Sequence, residues 1–323
     1  MRPIDFATPT SVEDALRRFD AGTAYLAGGT TLVDLMKLDV LTPDKVLDID
    51  RLPLRGVHPR RDALHIAALE RMSDVAAHRT VVQDYPVLSQ ALLLSASGQL
   101  RNMASIGGNL LQRTRCSYFR DITSACNKRE PGSGCPAREG VNRGHAILGT
   151  SESCVATHAS DLAVALVALD ASVVLTGREG SRTVRLDDFY RVPGDTPHVE
   201  NQLRPGEILT EVIVPSLHWA RRSTYLKVRD RQSYEFALTS AAVAVDLRGR
   251  TVRDVRIAVG GVATKPWRLP HVEQALLGQP LRESAVVRAV EHAADGALPL
   301  PYNKFKPALL RRTLARALTS LAN

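Results

Sequence analysis

Apolar residues come in short, regularly punctuated runs along this chain, and their spacing divides it into a front part that mixes strands with helices and a back part of strands followed by helices. Strand-like runs stand at 24–26, 46–49 and 64–69. Around them, Ser11 is placed to cap a helix through about Phe19, with Leu16 and Phe19 on its buried side, and Ser73 to cap another that begins at Asp74. Pro86 opens a further helix to about Ser95. Asp161 stands in the first turn of an apolar helix over 162–169, where an acid favours the helix dipole. A hairpin follows from strands at 172–176 and 183–186 about Gly177 and Gly180, then a β-branched strand that Pro215 ends.

From about residue 221 the pattern reads as a separate α+β unit. Its strands are 225–228, 240–246 and 251–259, with Arg248-Gly249 turning the last two, and its helices are 271–277, about 283–292 and 307 to about 321. In the last helix Leu310, Leu314, Ala317 and Leu321 share one face with Leu318 beside them, which is a core stripe.

Two passages carry glycine pairs. Ala27-Gly28-Gly29-Thr30-Thr31-Leu32 leaves the first strand as a turn, and the stretch 97–110 reads as a second loop in which Ser105 precedes Gly107-Gly108 and Asn109 follows. Glycines let the backbone approach a ligand and turn several N–H groups toward a phosphate. Either pair alone is an ordinary turn; two such loops in one unit suggest an extended phosphate-bearing ligand held from two sides. Neither has the G-x-G-x-x-G spacing that opens a Rossmann helix, which argues against that dinucleotide fold.

All four cysteines fall in one glycine- and proline-rich stretch, at Cys116, Cys126, Cys135 and Cys154, spaced C-x9-C-x8-C-x18-C. A loop this long needs a tie. Two disulfides, a four-cysteine zinc site and a cubane iron–sulfur cluster are the three ties available, and the tight C-x2–4-C knuckles usual for structural zinc are missing. Nearby Arg113, Arg115, Arg120, Lys128, Arg129, Arg138 and Arg143 outnumber the acids, which suits an anionic metal centre. His158, four residues past Cys154, is read as preceding the helix cap rather than as a ligand.

The 323 residues, 44% of them apolar, suffice for a large core in more than one domain. The net charge of +8 does not point to nucleic acid, because the arginines are scattered and aromatic residues make up only 5%, so no stacking platform accompanies them. A basic surface facing an acidic partner protein is expected instead. No apolar run approaches a bilayer span, and Met1-Arg2-Pro3-Ile4-Asp5-Phe6 lacks the pattern of a signal peptide, so the chain on its own is expected in the cytoplasm.

Taken together these residues resemble the FAD-binding subunits of the molybdenum hydroxylases, the xanthine dehydrogenase and carbon monoxide dehydrogenase group. The passage from Leu26 through Ala27, Gly28, Gly29, Thr30, Thr31 and Leu32 resembles the family's first FAD pyrophosphate loop, and Arg101-Asn102-Met103-Ala104-Ser105-Ile106-Gly107-Gly108-Asn109 its second. Ser160-Asp161 sits where the family's ribityl-contacting aspartate lies, and Gly206-Glu207-Ile208-Leu209 where a leucine packs on the flavin. Lys227, twelve residues past Pro215, stands where a lysine meets the cofactor. The resemblance implies α/β and α+β architecture: a PCMH-type two-subdomain FAD-binding fold over 1–217, with an insertion at about 111–157, then a C-terminal α+β domain of the CO dehydrogenase flavoprotein type over 221–323.

In most members the Ser-Asp pair follows the second glycine loop closely, whereas here the cysteine stretch intervenes. Through Gln112-Arg113-Thr114-Arg115-Cys116 and the run from Cys126 to Cys135 it resembles the [4Fe–4S]-bearing insertion of bacterial periplasmic aldehyde oxidoreductases. This implies that Cys116, Cys126, Cys135 and Cys154 ligate one [4Fe–4S] cluster. It further implies a heterotrimer with a large molybdopterin-binding subunit that oxidises aldehyde and a small subunit carrying two [2Fe–2S] clusters. FAD in this chain would then pass electrons to an external acceptor. The periplasm is the implied compartment, reached by export with a signal-bearing partner; the cytoplasm is the alternative. Two rival readings remain, a stand-alone flavin oxidase of the vanillyl-alcohol type and a zinc-stabilised binding module.

Overall fold

The structure is a computed structural model and describes residues 2–322. Strands β1 (Asp5–Ala7), β2 (Thr23–Leu26) and β3 (Lys45–Asp48) form a small parallel sheet in the order β1-β3-β2. Parallel neighbours need crossovers. Helix α1 (Val12–Arg18) supplies the first, with Ser11 Oγ accepting from Asp14 N at 3.1 Å, and α2 (Leu32–Lys37) the second.

Strands β4 (Val57–Pro59), β5 (Ala63–Ala67), β6 (Ser172–Gly177), β7 (Gly180–Arg185) and β8 (Ile208–Pro215) make an antiparallel sheet in the order β4-β5-β8-β6-β7. The hairpin strand β7 starts three residues before the expected 183, because pairing continues to Gly177 opposite Gly180, whose φ of +117° closes a two-residue turn. Helices α3 (Met72–Ala77), α4 (Arg79–Asp84) and α5 (Pro86–Leu94) cover this sheet, with Val75, Leu88 and Leu92 packed on Leu64, Ile66 and Val212.

Two expectations fail here. Ser73 does not cap α3: the N-cap is Arg71, held extended by a bridge to Ser105, and the Arg71 carbonyl receives Asp74 N and Val75 N. Nor is 97–110 a loop. It folds as α6 (Gly98–Met103) and α7 (Ile106–Leu110), so the second glycine pair lies in the first turn of a helix whose cap Ser105 accepts from Gly108 N at 3.1 Å.

The cysteine segment is irregular as expected, apart from α8 (Ser117–Arg120) and a 3₁₀ turn at Pro136–Arg138. Helix α9 (Asp161–Ala168) follows, with Ser160 as its cap and every residue buried. A short helix, α10 (Leu186–Phe189), leaves the hairpin.

The back part holds β9 (Ser223–Val228), β10 (Thr239–Arg248), β11 (Thr251–Gly260) and β12 (Trp267–Arg268) in the antiparallel order β12-β11-β10-β9. Period-two alternation places Ala241, Val243 and Val245 of β10 against α11 (Pro270–Leu276), α12 (Glu283–Val290) and α13 (Lys306–Thr319), and turns Ala242 and Ala244 toward α9. The expected stripe Leu310, Leu314, Ala317, Leu318 and Leu321 is buried in that core. Ile147 and Leu148, from the far end of the cysteine segment, join it through bonds to Val262 O at 2.8 and 3.0 Å. Among the described residues no helix is long and apolar enough to cross a membrane.

Candidate functional site

The two glycine passages meet. A Cβ added to Gly28 would stand 1.9 Å from the Met103 carbonyl oxygen, so only glycine lets the first passage touch the end of α6. Gly29 has φ +73°, the left-handed region that favours glycine. On the other side Gly107 N donates to Ala68 O at 2.7 Å, which ties the start of α7 to the end of β5.

This junction is the waist of a groove with two lobes. One lobe, of about 940 Å³, is lined by Tyr25, Ala27, Gly28, Leu32, Gly107 and Leu209 among others, and is mostly apolar. The second, of about 1480 Å³, is lined by Asn109, Arg115, Asp161, Lys227, Tyr234 and Phe236 among others. Gly29, Thr30, Thr31 and Gly108 border both. A dinucleotide has this shape: two aromatic heads, and a phosphate pair between them that needs close main chain and no bulk. Of the sequence-predicted residues, Leu26 stands behind the loop, its side chain 3.5 Å from where a Gly29 Cβ would lie, and Ser105 lines the first lobe while capping α7.

Asp161 and Lys227 lie together on the wall of the second lobe, and each is buried. Lys227 Nζ donates to Asp161 Oδ2 at 2.7 Å and to Leu94 O at 3.1 Å; Tyr225 OH donates to Oδ1 at 2.7 Å; Ser95 Oγ stands 3.1 Å from Oδ2. Burial, and then the neighbouring Asp161 carboxylate, push the Tyr225 phenol well above its ordinary pKa, so it stays a donor. A carboxylate has about four acceptor positions, which leaves Oδ1 room for a ligand hydroxyl. Close by, Asn109 Oδ1 accepts from Ser160 Oγ at 2.6 Å, joining the two ends of the cysteine segment.

That segment folds back so that Cys116, Cys126, Cys135 and Cys154, all free, line one pocket with Phe119, Ala137 and others. Among the described residues no three Cys, His, Asp or Glu side chains close on a single ion. Their fit to a larger centre lies in the donors. Main-chain N–H groups of Phe119 and Tyr118 face Cys116, those of Val155 and Ala137 face Cys135, and that of Ala156 faces Cys154, each favouring thiolate. Burial opposes them and pushes Cys116 up to about 12, with Cys135 and Cys154 also raised, a penalty that metal ligation removes by deprotonating the thiol outright. His158 is outside this pocket: its ring packs edge-on against Tyr190 at 4.5 Å, and burial draws its pKa down to about 3.

Sequence reasoning missed several participants. Tyr225 is two positions from Lys227 on one strand and so on the same face, a signal that period-two alternation carries. Ser95 and Arg115 gave none: Ser95 ends α5, and Arg115 reaches the second lobe by an ion pair with Asp34 at 3.0 Å, shared with Arg120 at 2.9 Å.

With this geometry in view the comparisons with known proteins are direct. The family described as "FAD binding domain in molybdopterin dehydrogenase" matches residues 2–217, and "CO dehydrogenase flavoprotein C-terminal domain" matches 224–322. The chain is 48% identical over 92% of its length to the aldehyde oxidoreductase FAD-binding subunit PaoB of Escherichia coli K12, 91% of which is covered. It is 29% identical over 97% of its length to the glyceraldehyde dehydrogenase medium chain of Sulfolobus acidocaldarius, 94% of which is covered. A carbon monoxide dehydrogenase chain from Hydrogenophaga pseudoflava superposes with a TM-score of 0.77 at 26% identity, covering 99% of this chain and 98% of that one. Quinoline 2-oxidoreductase from Pseudomonas putida 86 (TM-score 0.78, 20% identity, 99% and 97% covered) shares the fold. The chain therefore belongs to the FAD-binding subunits of the molybdopterin dehydrogenases, the molybdenum hydroxylase family.

Proposed function

We propose that this chain is the electron-transfer flavoprotein of a molybdopterin-dependent aldehyde oxidoreductase, holding FAD in the two-lobed groove and one [4Fe–4S] cluster on Cys116, Cys126, Cys135 and Cys154. The observation that carries the reading is the junction of both glycine passages at the waist of the groove, one short segment away from a pocket lined by all four thiols. Bound FAD supplies the exchange between two-electron storage and one-electron carriers. What this chain does is hold and orient. Gly28, Gly29, Gly107 and Gly108 bring main chain to the phosphates, and Asp161 keeps an open acceptor position beside the charge of Lys227. Leu209 offers apolar surface in the first lobe, and the N–H groups around the thiols favour thiolate ligands.

In this reading aldehyde is oxidised in a large molybdopterin-binding subunit, a small subunit with two [2Fe–2S] clusters relays the electrons, and the heterotrimer delivers them from FAD to an external acceptor. The likeness over nine-tenths of an Escherichia coli aldehyde oxidoreductase subunit supports the substrate class, and the names "medium chain" and "FAD-binding subunit" borne by the relatives support the assembly. The same names disfavour a stand-alone oxidase. The resemblance to periplasmic enzymes supports export of the complex with a signal-bearing partner.

Coexpression with the two partner subunits tests this. The expected complex contains flavin and about four iron atoms per copy of this chain beyond those of the small subunit. It reduces dye with aldehyde, fractionates with the periplasm, and loses aldehyde activity when this chain is isolated. Stoichiometric zinc without iron would sink the cluster, aldehyde oxidation by the lone chain the division of labour, and cytoplasmic recovery of the active complex the compartment.

A further inference from the structure

Most buried polar groups outside the groove and the thiol pocket are accounted for by structure. Lys306 spends its ammonium on the carbonyls of Gly144, His145 and Gly261 at 3.0, 2.8 and 2.6 Å, and Lys128 bonds Glu200 at 2.9 Å and Pro197 O at 2.8 Å, pinning the segment to the loop before β8. His145 is not accounted for.

Its ring is buried, its Nε2 stands 3.2 Å from Cys116 Sγ, and its Nδ1 is buried without a partner. Among the described residues this is the side-chain hydrogen bond that reaches a cysteine sulfur. Lys306 is bound to the His145 carbonyl, and Arg115, Arg143, Asp161, Asp230 and Glu235 line the cleft with the ring, Arg143 pairing with Asp230 at 2.8 Å; the Tyr118 ring lies 6.3 Å away. A neutral imidazole has one N–H, for which the Asn142 carbonyl and the Cys116 sulfur compete; the sulfur, an acceptor once ligated to iron, is the one within hydrogen-bond distance, so Nε2 carries the proton and the lone pair of Nδ1 goes unpaired. Cys116 is also the cysteine that borders both the thiol pocket and the cleft reaching Asp161, so this bond sits on the flank that faces the second lobe of the groove.

We propose that His145 is a positioning residue for the cluster: its Nε2–H donates to the Cys116 sulfur and raises the reduction potential of the centre at the corner that faces the second lobe. The inference rests on the cluster assignment above. Hydrogen bonds to ligand sulfur stabilise the more negative, reduced state, and their loss moves the potential down.

The test is an EPR-monitored redox titration of the anaerobically purified complex, wild type against His145→Leu and His145→Gln, with iron counted in each. The expected result is full iron in all three, a clear shift to more negative potential for His145→Leu, and a smaller shift for His145→Gln, whose amide still donates. Full iron with an unmoved potential in His145→Leu would overturn the proposal, and so would loss of iron from both variants, which would make His145 part of what holds the cluster. A wild-type complex without the additional iron would instead mean that the cluster assignment had failed.

Discussion

Gly28→Ala is the sharpest probe of the groove. The added methyl would lie 1.9 Å from the Met103 carbonyl oxygen, while real Cβ contacts do not fall below 3.0 Å, so the two glycine passages must separate by about 1.1 Å (3.0 − 1.9). That carbonyl cannot drift freely, because Arg71 Nη1 donates to it and the same guanidinium holds Asp50 at 2.7 Å. Overpacking of this kind costs about 1–3 kcal/mol. If FAD needs both passages at their present separation, the cost falls on the bound form and raises Kd about 5- to 150-fold, at 1.4 kcal/mol per decade. Gly29→Ala is the internal comparison. Its Cβ meets Val33 Cγ2 at a tolerable 3.3 Å, so the main penalty is the positive φ, about 1–2 kcal/mol, or about 5- to 30-fold in Kd if it falls on binding. Flavin fluorescence titration of the apoprotein measures both, with thermal unfolding without FAD to separate misfolding from lost affinity. If Gly28→Ala binds FAD within twofold of wild type, the contact between the passages is not what holds the cofactor.

Asp161→Asn removes the charge opposite Lys227, whose side chain is only 1% exposed, and should cost about 3–5 kcal/mol in chemical unfolding, while Asp161→Asn with Lys227→Met recovers most of it; a loss under 1 kcal/mol in the single variant would refute the pairing argument. Burial and then Arg143 draw Lys306 down to about 7 from a solvated lysine's 10.5. Between those values the unfolded chain holds a proton that the folded one does not, so stability should rise with pH across the window, by up to about 1.4 kcal/mol per unit, and the slope should be absent in Lys306→Met. Cys126→Ser should lower bound iron while FAD stays stoichiometric, since no cysteine lines either lobe of the groove; joint loss of both would show that the segment is needed to form the flavin site.

The parts legible in the sequence are those written in local composition. The glycine pairs and the four cysteines gathered in one stretch are visible by residue type alone. Glycine's poor helix propensity made 97–110 read as a loop, yet the Ser105 cap, the Arg71–Ser105 bridge and the Gly107 bond to Ala68 override it. Contacts across long separations left no trace: Ser95 to Asp161, His145 to Cys116 and Lys306 to Gly144 span 66, 29 and 162 positions. The first arises only once α9 is packed between α5 and the β10–β11 pair, and the other two only once the cysteine segment folds back and meets the start of α13, none of which any periodicity announces.

The bond between Asn109 and Ser160, 51 positions apart in sequence, makes the cysteine segment an excursion that departs from and returns to one point. Such an excursion is thermodynamically inexpensive to carry. Loop-closure entropy grows by only about 0.6 kcal/mol per doubling, so closing about fifty residues costs about 1.4 kcal/mol more than closing about ten, which anchoring through Ile147, Leu148 and Lys306 can offset. Lengthening or shortening the interior of the segment is therefore expected to leave the groove unchanged as long as Asn109 and Ser160 stay bonded.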